Sequence, residues 1–264
     1  LGLSRGTRPG RENRDSPRRN NLHIELNEDQ KLIQESTREF SRDFLRPNAA
    51  KWDEHSQYPA EAVKKLGEMG LMGVAIPEEW GGSAMDAVSY VVAMEEISAG
   101  CASTGVIMSV NNSLYCDPVY KFGTEAQKKK WLVPFAKGEQ LGCYALSEPA
   151  TGSDAAAMKA TAVRRGDEWV LNGTKTWITN APDAQACILY VMTDMTLGSR
   201  GISCFILPMD AKGVSCGAHE KKLGIRASST SSIIMEDVVL TDEHLLGKVN
   251  EGFKVAMNTL DGGR

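Results

Sequence analysis

Hydrophobic periodicity changes near Gly138, and that change rules out any architecture built from one kind of element. From Asn27 to Lys137 apolar residues recur every three to four positions, the spacing of a helix face. After Gly138 they alternate, or run in short blocks bounded by Gly, Asp and Lys, as strands do. The order predicts an α+β multi-domain chain: an N-terminal all-α helical domain, then an antiparallel β domain. Near the end the pattern returns to helix: in EGFKVAMNT, 251–259, and just beyond it, Phe253, Met257 and Leu260 share a face. At 264 residues more than one domain is expected. The boundaries are drawn at 22–140 for the helical domain and 141–248 for the β domain, with 249–264 as only the start of a C-terminal helical domain.

Local signals place individual elements. Asn27 with Gln30 three residues on is a capping box, and Ile33, Thr37, Phe40 and Phe44 continue that helix until Pro47. A second helix is predicted from Ala60 to Met69, closed by Gly70, and a third from Ala87 to Ser98. EWVLNGTKTWIT, 168–179, reads as two alternating runs joined by a hairpin turn at Asn172-Gly173. Further strands are predicted at ACILYVM (186–192), GISCFILPM (201–209) and SSIIMEDVVL (231–240).

Composition excludes several function classes. A net charge of −4 gives no electrostatic case for nucleic acid, and no apolar run approaches the roughly 20 residues of a membrane span. The six cysteines show no CxxC and the four histidines no HExxH, so neither a disulfide scaffold nor a metal site is indicated. Reduced, mostly buried cysteines are expected. Glu78-Glu79 and Glu95-Glu96 read as a loop and a solvated helix edge rather than catalytic pairs, because adjacent helix residues point in different directions. Residues 1–21 hold six arginines against Glu12 and Asp15, with almost no apolar residues. They read as a basic disordered arm or the remnant of a transit peptide.

At the junction of the two domains lies YALSEPATGSD, 144–154. Ser147, Thr151 and Ser153 offer hydroxyls, Gly152 permits close backbone approach, and Pro149 stiffens the loop, which suits a ligand carrying phosphate and carbonyl oxygens. The same residue types also build ordinary turns. Trp177, taken alone, reads as a core residue of the hairpin.

YALSEPATGSD, then NGTKTWITN at 172–180, then KLGIRASST at 222–230 resemble, in that order, the signatures of the acyl-CoA dehydrogenase family of flavoproteins. The similarity runs from about Leu26 to Arg264, and MEEISAGCASTGVIMSVNNSLY, 94–115, is most similar to the family's short-chain (butyryl) branch. The resemblance implies an α domain, a central β domain and a C-terminal helical bundle, with FAD held between the β domain and helices. It implies that Tyr144, Ala145, Leu146, Ser147, Glu148, Pro149, Ala150, Thr151, Gly152 and Ser153 line the flavin, with Leu146 and Ser147 near the ring and Ser153 at the pyrophosphate and the acyl-CoA. Trp177, Ile178 and Thr179 become the second flavin segment, Trp177 covering a ring face and the Thr179 hydroxyl bonding N5. Asp261, Gly262, Gly263 and Arg264 resemble the substrate-contacting segment, commonly with Met where Gly262 stands.

The implied activity is α,β-dehydrogenation of a short-chain fatty acyl-CoA to the trans-2-enoyl-CoA in fatty acid β-oxidation. Electrons pass to an electron-transfer flavoprotein, and the complete family member is a homotetramer of the mitochondrial matrix. The family's catalytic Glu is expected beyond Arg264, so no residue of this chain is assigned as catalytic. On that reading the chain is partial, and the face of Phe253, Met257 and Leu260 is expected to be exposed. The alternative is an inactive short product that binds FAD or acyl-CoA weakly, or an interaction module. Ala150 stands where the family usually has Gly; if that position requires positive φ, Ala150 is expected to be strained by on the order of 1 kcal/mol.

Overall fold

A computed structural model describes residues 25–263; the basic arm and Arg264 lie outside the described residues. The capping box forms as predicted. Asn27 Oδ1 accepts from the Gln30 amide at 2.8 Å and Gln30 Oε1 from the Asn27 amide at 3.0 Å, opening α1 (Glu28–Phe40). Ile33 and Thr37 are buried, and Phe40 stacks on Phe44 with ring centroids 5.5 Å apart.

Pro47 does not end this helix. A π-helical segment, Ser41–Leu45, carries α1 directly into α2 (Arg46–Glu54), with Pro47 in the first turn of α2. The physical reason lies in the backbone bonding. The Arg46 amide reaches back to the Ser41 carbonyl, five residues away, and this change of register falls where proline's missing N–H is tolerated. The device recurs at Val110–Cys116, a second π segment that runs into α6 (Asp117–Phe122) with Pro118 in its first turn.

Between these segments lie α3 (Ala60–Glu68), α4 (Ala87–Gly100) and α5 (Ala102–Ser109), followed after α6 by α7 (Glu125–Trp131) and α8 (Val133–Ala136). Gly70, at φ +72, lies just beyond α3, as predicted. Asp86 caps α4 through the Ser89 amide at 2.7 Å and also accepts from Gln30 Nε2 at 2.8 Å, tying α1 to α4. Leu45, Leu66, Leu71, Ile97 and Ile107 form the shared core. Glu95 is exposed, while Glu96 pairs with Arg38.

The β part is a seven-stranded sheet of β1 (Gly142–Ala145), β2 (Thr161–Arg165), β3 (Glu168–Thr179), β4 (Ala186–Met192), β5 (Ile202–Pro208), β6 (Val214–Cys216) and β7 (Thr230–Thr241). The path is β1-β4-β2-β3-β7-β6, with β5 also on β4. It is mainly antiparallel, but β1 and β2 run parallel to β4.

The predicted hairpin at Asn172-Gly173 is not there. β3 runs unbroken through both residues, and the turn joining β2 to β3 is at Gly166-Asp167, with Gly166 at φ +62. Gly173 does take positive φ, +137, but within a β-bulge against β7, where a Cβ would meet that of Ala160 at 2.5 Å. Asn172 bonds across to Asp237, donating from Nδ2 at 3.0 Å and accepting the Asp237 amide at 2.9 Å. A bulge and a tight turn make the same demand on the backbone, and the sheet used the Asn-Gly pair for the bulge.

The final helix, α9 (Gly252–Gly263), lies on the sheet. Val255 and Ala256 are buried, and Phe253, Met257 and Leu260 are half-buried against a core containing Tyr115, Phe135, Tyr190 and Ile206. The face expected to be exposed is thus largely covered within the chain. Five of the six cysteines are buried, Cys216 being exposed, and none is in a disulfide. Among the described residues no helix is long and apolar enough to cross a membrane.

Helices and sheet meet around Asn111, which is fully buried. Its Nδ2 donates to the carbonyls of Met72 at 2.9 Å and Phe135 at 3.0 Å, and its Oδ1 accepts the Gly142 amide at 2.9 Å. A side chain at Gly142 would overlap the Tyr115 ring, so the first residue of β1 sits directly on the helical part. Asn111→Ala strands three buried backbone groups at once and is expected to lower unfolding free energy by about 3 kcal/mol in urea titrations.

Candidate ligand-binding site

The 144–153 segment is part strand and part loop. Tyr144 and Ala145 belong to β1: Ala145 is buried in the sheet core, and Tyr144 packs on Tyr190 with ring centroids 5.2 Å apart. Leu146 is buried and Ser147 half-buried. Glu148 to Thr151 close a tight turn, the Thr151 amide donating to the Glu148 carbonyl at 3.1 Å and the Glu148 amide to the Thr151 carbonyl at 3.0 Å. Pro149 and Ala150 are its exposed tip.

Ala150 is absent from the described non-glycine residues with positive φ, so the expected strain does not arise. With proline at its second position and no positive φ at its third, the turn needs no glycine. Gly152 and Ser153 are exposed beyond it, and a Cβ on Gly152 would meet nothing within 4 Å.

The Glu148 side chain turns inward. Its carboxylate accepts the amides of Lys159 at 2.6 Å and Ala160 at 3.0 Å, and pairs with Lys175 Nζ at 2.8 Å. Lys175, on β3, is wholly buried, and desolvation pulls its pKa below the usual lysine range. Nothing in the pattern of β3 marked a buried lysine, because its partner stands 27 positions away.

Trp177 follows two residues later. It is no hairpin core residue: it is 64% exposed and sits at φ +61, at a second β-bulge of β3. An exposed indole on a left-handed backbone is a conformation that the surroundings must impose. Before it, the Thr176 amide donates to the Ser147 carbonyl at 3.0 Å. After it, Ile178 is buried, Thr179 is half-buried opposite Thr230, and Asn180, at φ +69 and fully buried, donates its amide to the Ser229 carbonyl at 2.8 Å and Nδ2 to the Gly142 carbonyl at 3.3 Å. The structure therefore brings the loop and the 177–179 segment side by side. Thr151 Oγ1 and Thr176 Oγ1 are buried there without a hydrogen-bond partner.

Asp261 and Gly262 are exposed at the end of α9, and Gly263 is its last residue. Gly262 lines a cavity of about 230 Å³ with Tyr90, Asn112, Ser113, Tyr120 and Lys121; no residue of 144–153 lines it. KLGIRASST ties the β part to the helices. Arg226 gives Asp53, on α2, its amide at 2.7 Å and Nε at 2.8 Å, while Lys222 Nζ donates to the carbonyls of Ile225 and Ser228 and to Thr230 Oγ1.

A helical part is seated on a mainly antiparallel sheet, and a polar loop and an exposed tryptophan stand together beside β1 and β3. The family model "Acyl-CoA dehydrogenase, N-terminal domain" matches residues 27–139 and "Acyl-CoA dehydrogenase, middle domain" residues 143–238, and the chain belongs to the acyl-CoA dehydrogenase family. It is 52% identical over 241 residues to the bovine (Bos taurus) "Short-chain specific acyl-CoA dehydrogenase, mitochondrial", covering 91% of this chain and 58% of that protein. The structure of butyryl-CoA dehydrogenase from Megasphaera elsdenii superimposes with a TM-score of 0.89 at 36% identity, covering 92% of this chain and 64% of that one. An acyl-CoA dehydrogenase from Bacillus anthracis complexed with FAD gives a TM-score of 0.83 at 36% identity, covering 90% of this chain and 41% of that one. The chain thus spans less than two thirds of the length of these relatives.

The Asp53 tie yields a pH prediction. Hydrogen bonds from the Arg226 amide and then from its side chain hold the Asp53 carboxyl below the usual carboxylate range. A depressed folded pKa contributes stability that is present above the unfolded value, about 3.9, and is lost as pH falls through the folded one. Both side chains are partly exposed, so the contribution is about 1 kcal/mol. Asp53→Asn should be less stable than wild type at neutral pH, the gap closing on acidification, in thermal melts taken across that range.

Proposed function

We propose that this chain carries the helical and flavin-side domains, residues 22–140 and 141–248, of an FAD-dependent acyl-CoA dehydrogenase that converts a short-chain fatty acyl-CoA to its trans-2-enoyl-CoA, with 249–264 opening a further helical domain. The observation that carries this reading is the pairing of the loop with β3 through Thr176 and Ser147, which presents Leu146, Ser147, Trp177 and Thr179 together. The short-chain preference is supported by the bovine and Megasphaera relatives. An electron-transfer flavoprotein as acceptor and a homotetrameric assembly come with the family resemblance. The mitochondrial matrix is supported by the bovine relative's name, while the Megasphaera relative is bacterial.

The chain's own residues fit a flavin. Trp177 offers an uncovered ring for stacking, and the unpartnered hydroxyls of Thr151 and Thr176 mark where polar ligand atoms are lacking. Open space over Gly152 and Ser153 leaves room for a pyrophosphate. Bound FAD supplies the acceptor for the hydride leaving the β carbon. The hydroxyls of Ser147 and Thr179 would donate to bound FAD where negative charge develops, from backbone that the Thr176–Ser147 bond holds together. Asp261 and Gly262 would contact the substrate, beside a cavity lined by Ala75, Ile76 and Ala87 as well as by the polar residues named above and Asp117. Removal of the α proton needs a base, and Glu148 is unsuited, being enclosed by Lys159, Ala160 and Lys175. The resemblance puts that base beyond Arg264.

Residues 1–264 with FAD added should therefore not turn over butyryl-CoA. A positioned general base contributes about 10²–10⁴-fold before any loss of substrate alignment is counted. Flavin bleaching by butyryl-CoA at a rate fit for turnover would overturn the assignment of the base. Within the flavin site, Trp177→Ala removes stacking area while Thr179→Val removes one hydrogen bond, about 0.5–1.5 kcal/mol. Trp177→Ala should weaken FAD more than Thr179→Val in a fluorescence titration. If FAD binds and neither change alters its affinity, the flavin lies elsewhere.

A further inference from the structure

The loop and the Trp177 segment come from different parts of the sheet, and a ligand touching both needs their separation fixed more tightly than strand pairing provides. Three successive loop residues, Leu146, Ser147 and Glu148, are gripped by two successive residues of β3. Lys175 Nζ donates to the Leu146 carbonyl at 3.1 Å and to Glu148 Oε1 at 2.8 Å, with Met158 Sδ at 3.8 Å, and the Thr176 amide donates to the Ser147 carbonyl at 3.0 Å. The lysine's three protons thus have three acceptors, all shielded from water. Glu148 extends the grip by holding the amides of Lys159 and Ala160.

A buried ion pair is a poor way to gain stability, since desolvation offsets most of its attraction and an apolar pair of similar shape often serves as well. What the pair adds is direction: a buried cation with three fixed acceptors tolerates one arrangement of the loop against β3. We propose that Lys175, acting through Glu148 and the Leu146 carbonyl, is the positioning residue of the ligand site, setting the loop's distance from Trp177. Its link to FAD rests on the function proposed above.

The test uses the 264-residue chain and the double variant Lys175→Met/Glu148→Gln, which leaves no unpaired buried charge. Two readouts are taken. Amide hydrogen exchange is followed at Lys159, Ala160 and Thr176 against the reference amides of Leu189 and Ile206 in the sheet core, and FAD affinity is read by fluorescence titration. The expected result is at least tenfold faster exchange at the three site amides with the reference amides unchanged, and at least tenfold weaker FAD binding. Unchanged exchange at the site, or acceleration shared equally by Leu189 and Ile206, overturns the proposal, the second because it marks a general stabiliser. FAD affinity equal to wild type also overturns it. If the wild-type chain takes up no FAD, the functional reading fails on its own and the exchange ratio alone decides the clamp. Should the double variant not fold, Lys175→Gln/Glu148→Gln, which is likewise free of buried charge and keeps polar groups at both positions, is judged by the same ratios.

Discussion

The carboxamide of Asn111 is the bond on which the arrangement of this molecule turns. It sits in the second π segment and joins the carbonyls of Met72 and Phe135 to the amide that begins β1. Three backbone groups, each at least 24 positions from Asn111, are satisfied through its one side chain, so none can shift without stranding the others. β1 leads from this joint straight into the loop of the candidate site, and Asn180, closing the Trp177 segment, donates to the Gly142 carbonyl from the other side. Both halves of the candidate site are therefore measured from Gly142, and the helices are their common foundation.

From that foundation the sheet departs from regular pairing just where a ligand would approach. Gly173 and Trp177 mark two bulges of β3, and Asn180 adds a second left-handed residue beyond Trp177. Irregular backbone is tolerated there because fixed neighbours over-determine it: Lys175 and Thr176 on one side of Trp177, Ile178 and Asn180 on the other. The exposed indole is an outcome of buried bonding around it, and rigid backbone rather than side-chain packing decides where the ring points.

What was legible in the sequence follows how far each determinant reaches. The cap of α1 and the end of α3 are settled within a few residues, and Asn27, Gln30 and Gly70 announced them. Blocks such as 186–192 could be seen because every residue of β4 is buried. Pro47 misled because a stop signal for an α-helix is harmless after a π turn. Asn172-Gly173 misled because positive φ serves turns and bulges alike. β1, β2 and β6 are too short to show a period, and the last two residues of β1 run straight into the loop sequence. For the site, hydroxyls and glycine were visible as chemistry but not as a specific ligand; the resemblance supplied that. The inward turn of Glu148 and the burial of Lys175 depend on contacts across the sheet, which no local pattern carries.

Each π segment also has a bearing on how this fold can vary. A π turn holds about one residue more than an α turn, and one residue corresponds to about 100° around a helix. The Ser41–Leu45 segment thus re-phases a single rod, so that Ile33 and Thr37 before it and Trp52 after it all reach the interior. Losing one residue there would mend the hydrogen bonding and turn Trp52 away from its place. Regularising the helix and keeping the core are incompatible at this point, so the irregularity acts as a frame marker: length is fixed there by packing.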